Sequence, residues 1–342
     1  MSPFHDVKTL VTNADALIYC IDMKDQQHYI PARRDIMEAA QVIEGMVHKT
    51  PVMTSRLIDE IAGKTCFFKM ENFQRTGSFK IRGATFAVEG LPDEEAEAGT
   101  VTHSSGNHGQ ALARASQQRG FPCCIVMPHT APPEKCDAVR TYGGKIVFCE
   151  PTMASREEVT SQVIEKTGAV FIHPYDDGRI ISGQATCAVE LLKQVNDLDA
   201  VVAPVGGGGL LSGTALAVRY TDPSVTVIGA EPEQADDAYR SLHSGAVCRD
   251  LNPQTLADGL RGYLSDLTFS IINDHVHEIV RITEQEIISA MKLIWQRMKV
   301  VIEPSAAVPA AAVLFRKLPV EGKRIGIILT GGNVSLSSLP WM

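Results

Sequence analysis

The chain has 342 residues, a formal net charge of −8, 44% hydrophobic and 21% charged side chains. This is the balance of a water-borne globular protein with room for about two domains at ~100–200 residues each. Charge is spread thinly, with no long block of one sign, which argues against a nucleic acid polymer or an anionic membrane as the main partner. The densest acidic stretch, DEEAEAG at 93–99, reads as a solvated connection.

No segment has the basic-then-apolar pattern of a leader, and no run reaches the ~18 apolar residues that cross a bilayer. The eight cysteines (Cys20, Cys66, Cys123, Cys124, Cys136, Cys149, Cys187 and Cys248) form no CxxC pair, and several sit inside apolar runs such as FPCCIVMP. Such usage predicts reduced core residues and a cytoplasmic location.

Taken in chain order, residues 1–34 show weak periodicity and stand as an extension without an assigned role. At 75–84 the sequence reads RTGSFKIRGA, with Lys80 between Phe79 and Ile81. Two readings stand here. In one, Ser78 caps a helix and the Lys80 ammonium reaches water; in the other, Lys80 is a chemical lysine in apolar company.

From there on, CCIVMP, KIVFCE, AVFIHP, AVVAPV, TVIGAEP and RIGIILTGG alternate with helical stretches of about 10–15 residues, the sign of βαβ units and buried parallel strands. The fold class is α/β. Gly, Pro and Asp punctuate the chain at 90–99 and 173–183. Residues 100–176 are therefore expected as a small domain inserted into a larger one made of 35–99 plus 177–342.

Four loops carry candidate chemistry. THSSGNHGQA at 102–111 offers Ser104, Ser105, Asn107 and His108 around Gly106 at a strand-to-helix junction, an arrangement suited to a carboxylate. PVGGGGLL places Gly206, Gly207, Gly208 and Gly209 between a strand and a helix that begins near Leu210. Backbone N–H groups there can turn inward onto a single phosphate, without the Walker or dinucleotide spacing.

AEPEQADDAY brackets a turn with Glu231 and Asp237, hard oxygen ligands for Mg²⁺ or Ca²⁺, although a solvated acidic loop has the same spacing. ILTGGN ends a strand with the hydroxyl of Thr330, where parallel sheets gather their ligands. A lysine, a one-phosphate cradle, a carboxylate loop and a strand-end hydroxyl together describe a site for pyridoxal 5′-phosphate, with Lys80 holding the aldehyde.

SFKIRGA, THSSGNHGQA, PVGGGGL, AEPEQADD, IEPSA and LTGGN, in this order, resemble the serine racemase and serine/threonine dehydratase group of fold type II pyridoxal phosphate enzymes, over about residues 35–340. The resemblance implies that Lys80 carries the cofactor, Phe79 packs near its ring, Asn107 binds the ring hydroxyl, Gly206–Gly209 and Leu210 hold the phosphate, and Thr330 meets the ring nitrogen. It implies that Lys80 and Ser105 face the substrate carbon from opposite sides, racemising serine beside β-elimination to pyruvate and ammonia. A dehydratase of serine, threonine or 3-hydroxyaspartate and an aspartate racemase are the alternatives.

Ser104, Ser105, Asn107 and His108, with Arg156 from the small domain, are then the substrate-holding set for a small amino acid. Glu231, the Ala235 carbonyl and Asp237 become cation ligands, and the protein a homodimer. Animal members of the group respond to a nucleotide such as ATP, and Ser55, Thr76, Gln110, Tyr142, Lys299 and Asn333 match that site. Met37, Arg56 and Arg75 depart from it, and Tyr175, Gly262 and Tyr263 depart from the group's pattern near cofactor and substrate.

Overall fold

The computed structural model describes residues 28–250 and 252–341; Cys20 and most of the 1–34 extension lie outside them. A larger sheet holds β1 (Val52–Met53), β2 (Thr65–Met70), β7 (Ala200–Pro204), β8 (Thr226–Pro232), β9 (Glu278–Ile282) and β10 (Arg324–Leu329). Their spatial order is β1-β2-β10-β7-β8-β9. Only β1 runs antiparallel, with Val52 opposite Lys69. The parallel register sets Ile325 beside Cys66 on one side and Ala200 on the other.

A smaller, fully parallel sheet is built from β3 (Thr100–His103), β4 (Cys123–Pro128), β5 (Lys145–Cys149) and β6 (Val170–Phe171), in the order β5-β4-β3-β6. The six apolar runs singled out in the sequence are all strands. Four strands lie outside those runs: β1 has two residues, β2 hides a lysine within TCFFKM, β3 is only four residues, and β9 sets Glu278 and Arg281 among its apolar residues.

Helices cover the sheets. In chain order they are α1 (Arg33–Val42), α2 (Arg56–Ala62), α3 (Lys80–Glu89), α4 (Asp93–Glu97), α5 (Asn107–Arg119), α6 (Pro133–Thr141), α7 (Met153–Thr167) and α8 (Gly178–Gln194). α9 (Gly209–Thr221), α10 (Asp237–Ser244), α11 (Asp266–His275), α12 (Glu284–Met298) and α13 (Pro304–Leu314) complete them. The acidic stretch at 93–99 is thus a short helix, its carboxylates in the first turn where the helix dipole favours them.

Side-chain chemistry fixes several starts. Asp177 accepts from Arg179 N and pairs with its guanidinium at the head of α8, and Thr283 with Glu286 closes a capping box on α12. Under the larger sheet, Ile58, Phe68, Ile287, Ile294 and Ile327 share one core. A second core joins Ile81, Ala84 and Val88 of α3 to Leu112 and Ile125 of the smaller sheet's layer. Helix α3 therefore packs its apolar face with the smaller sheet's layer.

The contact between α3 and α8 is backbone on backbone. A Cβ at Gly183 would lie 2.5 Å from Gly83 Cα. Only glycine at both positions lets the helices approach so closely. Near the start of the described chain, the Tyr220 hydroxyl donates to the Pro31 carbonyl and the Tyr29 ring covers Gly178.

Candidate active site

The carboxyl ends of β3, β7 and β10 carry the polar loops predicted from the sequence. Helix α3 starts directly at Lys80, with Phe79 as its N-cap. Ser78 does not cap it: its backbone is extended and bridges to Gly331, and its Oγ is buried without a partner among the described residues. Phe79 N donates to Thr330 O at 3.0 Å, and Gly332 N to Gly77 O at 2.9 Å. The segment bearing Lys80 is thereby stitched to the end of β10.

The Lys80 ammonium is not in bulk water. Its Nζ donates to the Pro174 carbonyl at 2.7 Å and stands 5.2 Å from the Phe79 ring centroid. With no carboxylate beside it among the described residues, desolvation lowers the amine to about 8. A lysine so placed is readily available as the neutral nucleophile or base.

Gly206–Gly209 lead from β7 into α9. Gly208 has φ +87° as N-cap, a backbone that favours glycine. Cβ atoms here would collide with neighbours: at Gly206, 2.8 Å from Leu260 Cα; at Gly207, 2.3 Å from Tyr175 Cδ1; at Gly209, 2.9 Å from Tyr175 Cβ. The Tyr175 ring therefore walls the cradle. Leu210, the next residue, is buried in the core.

Asn107 begins α5. Its Nδ2 donates to Glu303 Oε1 at 2.8 Å, while its Oδ1 accepts from Asn333 Nδ2 at 2.8 Å. The carboxamide is fixed, with one Nδ2 hydrogen still to give. Glu303 is buried, and desolvation, with Asp258 adding to it, pushes its carboxyl up to about 8. Glu303 and the Pro174 carbonyl were not singled out as site groups, although IEPSA and HPYDDG contain them.

His108 is buried, donating from Nε2 to Ile172 O at 3.2 Å once that nitrogen carries the proton, and its Nδ1 lacks a partner among the described residues. Desolvation, then the neighbouring Lys80 charge, drives it down to about 3. His173 accepts the Asp176 amide at Nδ1 (2.8 Å) and meets Tyr175 edge-on at 4.6 Å between centroids. Both imidazoles are neutral. Ser104 and Ser105 are partly buried in the loop after β3, where Ser104 Oγ accepts from Gly106 N at 3.3 Å.

Burial and, secondarily, the charge of Arg156 in the first turn of α7 disfavour protonation of His103. Arg156 makes no ion pair among the described residues. Arg249 stands 5.4 Å over the Tyr263 ring, at the side of Tyr175.

Glu231 is fully buried at the end of β8, its Oε1 and Oε2 accepting from Ala238 N (3.0 Å) and Tyr239 N (2.8 Å). Burial and the facing Asp237 raise its carboxyl. Asp237, 1% exposed, has an Oδ2 without a partner among the described residues and is pushed up by desolvation to about 7. Two facing buried carboxylates and the nearby Ala235 backbone suit a divalent cation. Among the described residues no three His, Cys, Asp or Glu side chains gather into a metal cluster, so a cation here would need backbone oxygen or water as well.

The residues matched to a nucleotide divide by position. Thr76 (φ 58°) and Asn333 meet, Asn333 Nδ2 donating to Thr76 O at 2.8 Å, and Gln110 is buried in α5. Ser55 precedes α2, Tyr142 closes α6 and Lys299 closes α12.

The residues fit the cofactor read from the sequence. Thr330 Oγ1 is buried at the strand end with no partner among the described residues, and the glycine cradle is too tight for side chains. Two largely parallel sheets, a glycine cradle, a desolvated lysine and a strand-end hydroxyl define a fold type II cofactor-dependent enzyme.

The chain belongs to the pyridoxal-phosphate dependent enzymes, whose family model matches residues 43–331. It is 52% identical over 313 residues to a β-hydroxyaspartate dehydratase of Paracoccus denitrificans (strain Pd 1222), covering 92% of this chain and 99% of that one. It is 48% identical over 310 residues to serine racemase of Dictyostelium discoideum, covering 90% and 96%. The structure of maize serine racemase superposes with a TM-score of 0.89 at 44% identity, covering 90% and 95%. Among the described residues no helix is long and apolar enough to cross a membrane.

Proposed function

We propose that the protein interconverts L- and D-serine and also eliminates water from serine to give pyruvate and ammonia. The observation that carries this is the Lys80 amine, lowered to about 8 and held at the Pro174 carbonyl beside the glycine cradle. Pyridoxal phosphate supplies an electron sink for the α-carbon when bound. Gly206–Gly209 would hold its phosphate, Thr330 Oγ1 its ring nitrogen and Asn107 Nδ2 its ring hydroxyl.

Lys80 Nζ takes the α-proton from one face. Ser105 Oγ returns a proton on the other, giving the opposite enantiomer; departure of the β-hydroxyl instead commits the substrate to elimination. His108, neutral, adds no charge to compete for the substrate carboxylate, which the N–H groups of the Ser104–Asn107 loop receive. Residues 100–176 are the part that closes, bringing Arg156 over the substrate. Glu231, Asp237 and the Ala235 carbonyl hold Mg²⁺ or Ca²⁺. The reading includes a cytoplasmic homodimer, for which Leu57 and Ile61, 45% and 48% exposed one turn apart on α2, offer apolar surface.

A second reading, dehydration of 3-hydroxyaspartate, is favoured by the guanidiniums of Arg156 and Arg249, which lack ion-pair partners among the described residues and could meet a second carboxylate. One experiment separates the two. L-serine, L-aspartate and 3-hydroxyaspartate are each incubated with protein, pyridoxal phosphate and Mg²⁺, and D-enantiomer and keto acid are assayed in the same tube. D-serine beside pyruvate, with Ser105→Ala losing only the D-serine, supports the first reading. Keto acid from 3-hydroxyaspartate alone, with no D-serine, replaces it by the second.

A further inference from the structure

Arg82 lies two residues beyond Lys80, about 200° around the same helix, so the two side chains leave α3 on opposite faces. Lys80 looks into the candidate site; Arg82 looks into the protein and is 0% exposed. Its Nε and Nη2 donate to Glu71 at 2.7 and 2.8 Å, and its Nη1 and Nη2 to Glu190 at 2.8 and 2.9 Å. Thr186 Oγ1 accepts from Nη1 at 3.2 Å. Lys69 Nζ joins the same cluster through Glu190 Oε2 (2.6 Å), Gln194 Oε1 (2.8 Å) and Thr50 O (2.8 Å).

Two cations face two carboxylates, so the cluster is balanced. Burial alone would raise the Glu71 carboxyl, but the Arg82 charge outweighs it and holds Glu71 below its ordinary range. A buried ion cluster is weak as a source of stability, because desolvation offsets most of its attraction. Its geometry is another matter. Two bidentate carboxylates fix a guanidinium in position and in plane.

The cluster ties α3 to the larger sheet as well as to α8. Glu71 follows β2 of the larger sheet, and Glu190 belongs to α8, which also shares a core with α3 through Ile180, while most of the rest of that core is the smaller sheet's layer. The Gly83–Gly183 contact sets how near α3 lies to α8 and the Phe79–Thr330 hydrogen bond holds its start; the clamp adds a directional hold on its rotation. We propose that Arg82 is the positioning residue for Lys80, setting the rotation of α3 so that the amine meets the aldehyde of a cofactor anchored on the larger sheet.

This rests on the reading of Lys80 as the residue that condenses with that aldehyde, forming the carbon–nitrogen double bond with loss of one water. The test compares two ligands on cofactor-stripped protein. Pyridoxal 5′-phosphate is followed by the Lys80-dependent visible absorbance, and pyridoxine 5′-phosphate, which has no aldehyde, by equilibrium binding. R82K keeps the charge but not the fork. E190Q leaves the Glu71 arm intact and serves if R82K folds poorly, as judged by circular dichroism.

The expected result is capture of pyridoxal phosphate slowed about tenfold in R82K and about two- to threefold in E190Q, with pyridoxine phosphate affinity changed less than about twofold. Wild-type capture rates in folded R82K and E190Q overturn the proposal. So does a parallel loss of pyridoxine phosphate binding, which would make Arg82 a general support of the fold. Absence of Lys80-dependent absorbance in the wild type, checked against Lys80→Ala, overturns the underlying reading instead.

Discussion

Gly183→Ala sets two effects of opposite sign against each other. Position 183 is interior to α8, where alanine is favoured over glycine by about 1 kcal/mol of helix propensity. The added Cβ, however, would stand 2.5 Å from Gly83 Cα and 2.8 Å from both Arg82 O and Gly83 N, all backbone atoms. Ordinary carbon contacts lie at about 3.5–4.0 Å, so α3 and α8 must part by about 1 Å. Overpacking of this kind costs about 1–3 kcal/mol, leaving a net loss of up to about 2 kcal/mol after the propensity gain of about 1 kcal/mol.

Urea unfolding measures that loss as a lower midpoint at unchanged slope. Because the displaced helix begins with Lys80, turnover should fall further than stability alone accounts for, up to about a hundredfold for a 1 Å misplacement. A Gly183→Ala protein at least as stable as wild type and fully active would refute the backbone-on-backbone contact and the role given to α3.

Other perturbations read other parts of the site. Desolvation favours the neutral Lys80 amine, so mass-spectrometric acetylation of cofactor-free protein should find Lys80 half-reactive near pH 8, while exposed lysines lag until much higher pH. Gly207→Ala places a methyl 2.3 Å from Tyr175 Cδ1 and should weaken pyridoxal phosphate binding. Equilibrium dialysis should show at least about a tenfold loss, equivalent to about 1.4 kcal/mol. Asp237 is raised in the folded chain, so its protonated form is favoured there; without metal, stability falls as pH rises from 3.8 towards about 7. Mg²⁺ should therefore raise the melting temperature more at pH 8 than at pH 5, EDTA should reverse the gain, and Asp237→Asn should remove it.

What the sequence made legible was local. Four successive glycines between a strand and a helix can be read without knowing any partner, and so can the β-branched runs of a buried parallel sheet. Lys80 stood out for its apolar neighbours, yet its acceptor, the Pro174 carbonyl, lies 94 residues away. Glu303 meets Asn107 across 196 residues, and Arg82 meets Glu190 across 108. No spacing rule announces such pairs. One of the two readings of RTGSFKIRGA made Ser78 a cap, because serine before a helix usually is one, but its backbone is engaged in a bridge to Gly331. Strand β2 was missed because Lys69 interrupts its apolar run, and that interruption is explained by distant acceptors, Glu190 and Gln194 on α8 and the Thr50 carbonyl.

The strand order also dictates when the site can exist. Strand β10 lies between β2 and β7, and Thr330 at its end holds Phe79, immediately before Lys80. A ribosome that has made residues 1–320 has synthesised the lysine and the glycine cradle, but β2 and β7 then lack the strand that joins them. Cofactor capture is consequently a late event in the life of each chain, and until then two parallel strand edges stay open to chaperones or to mispairing.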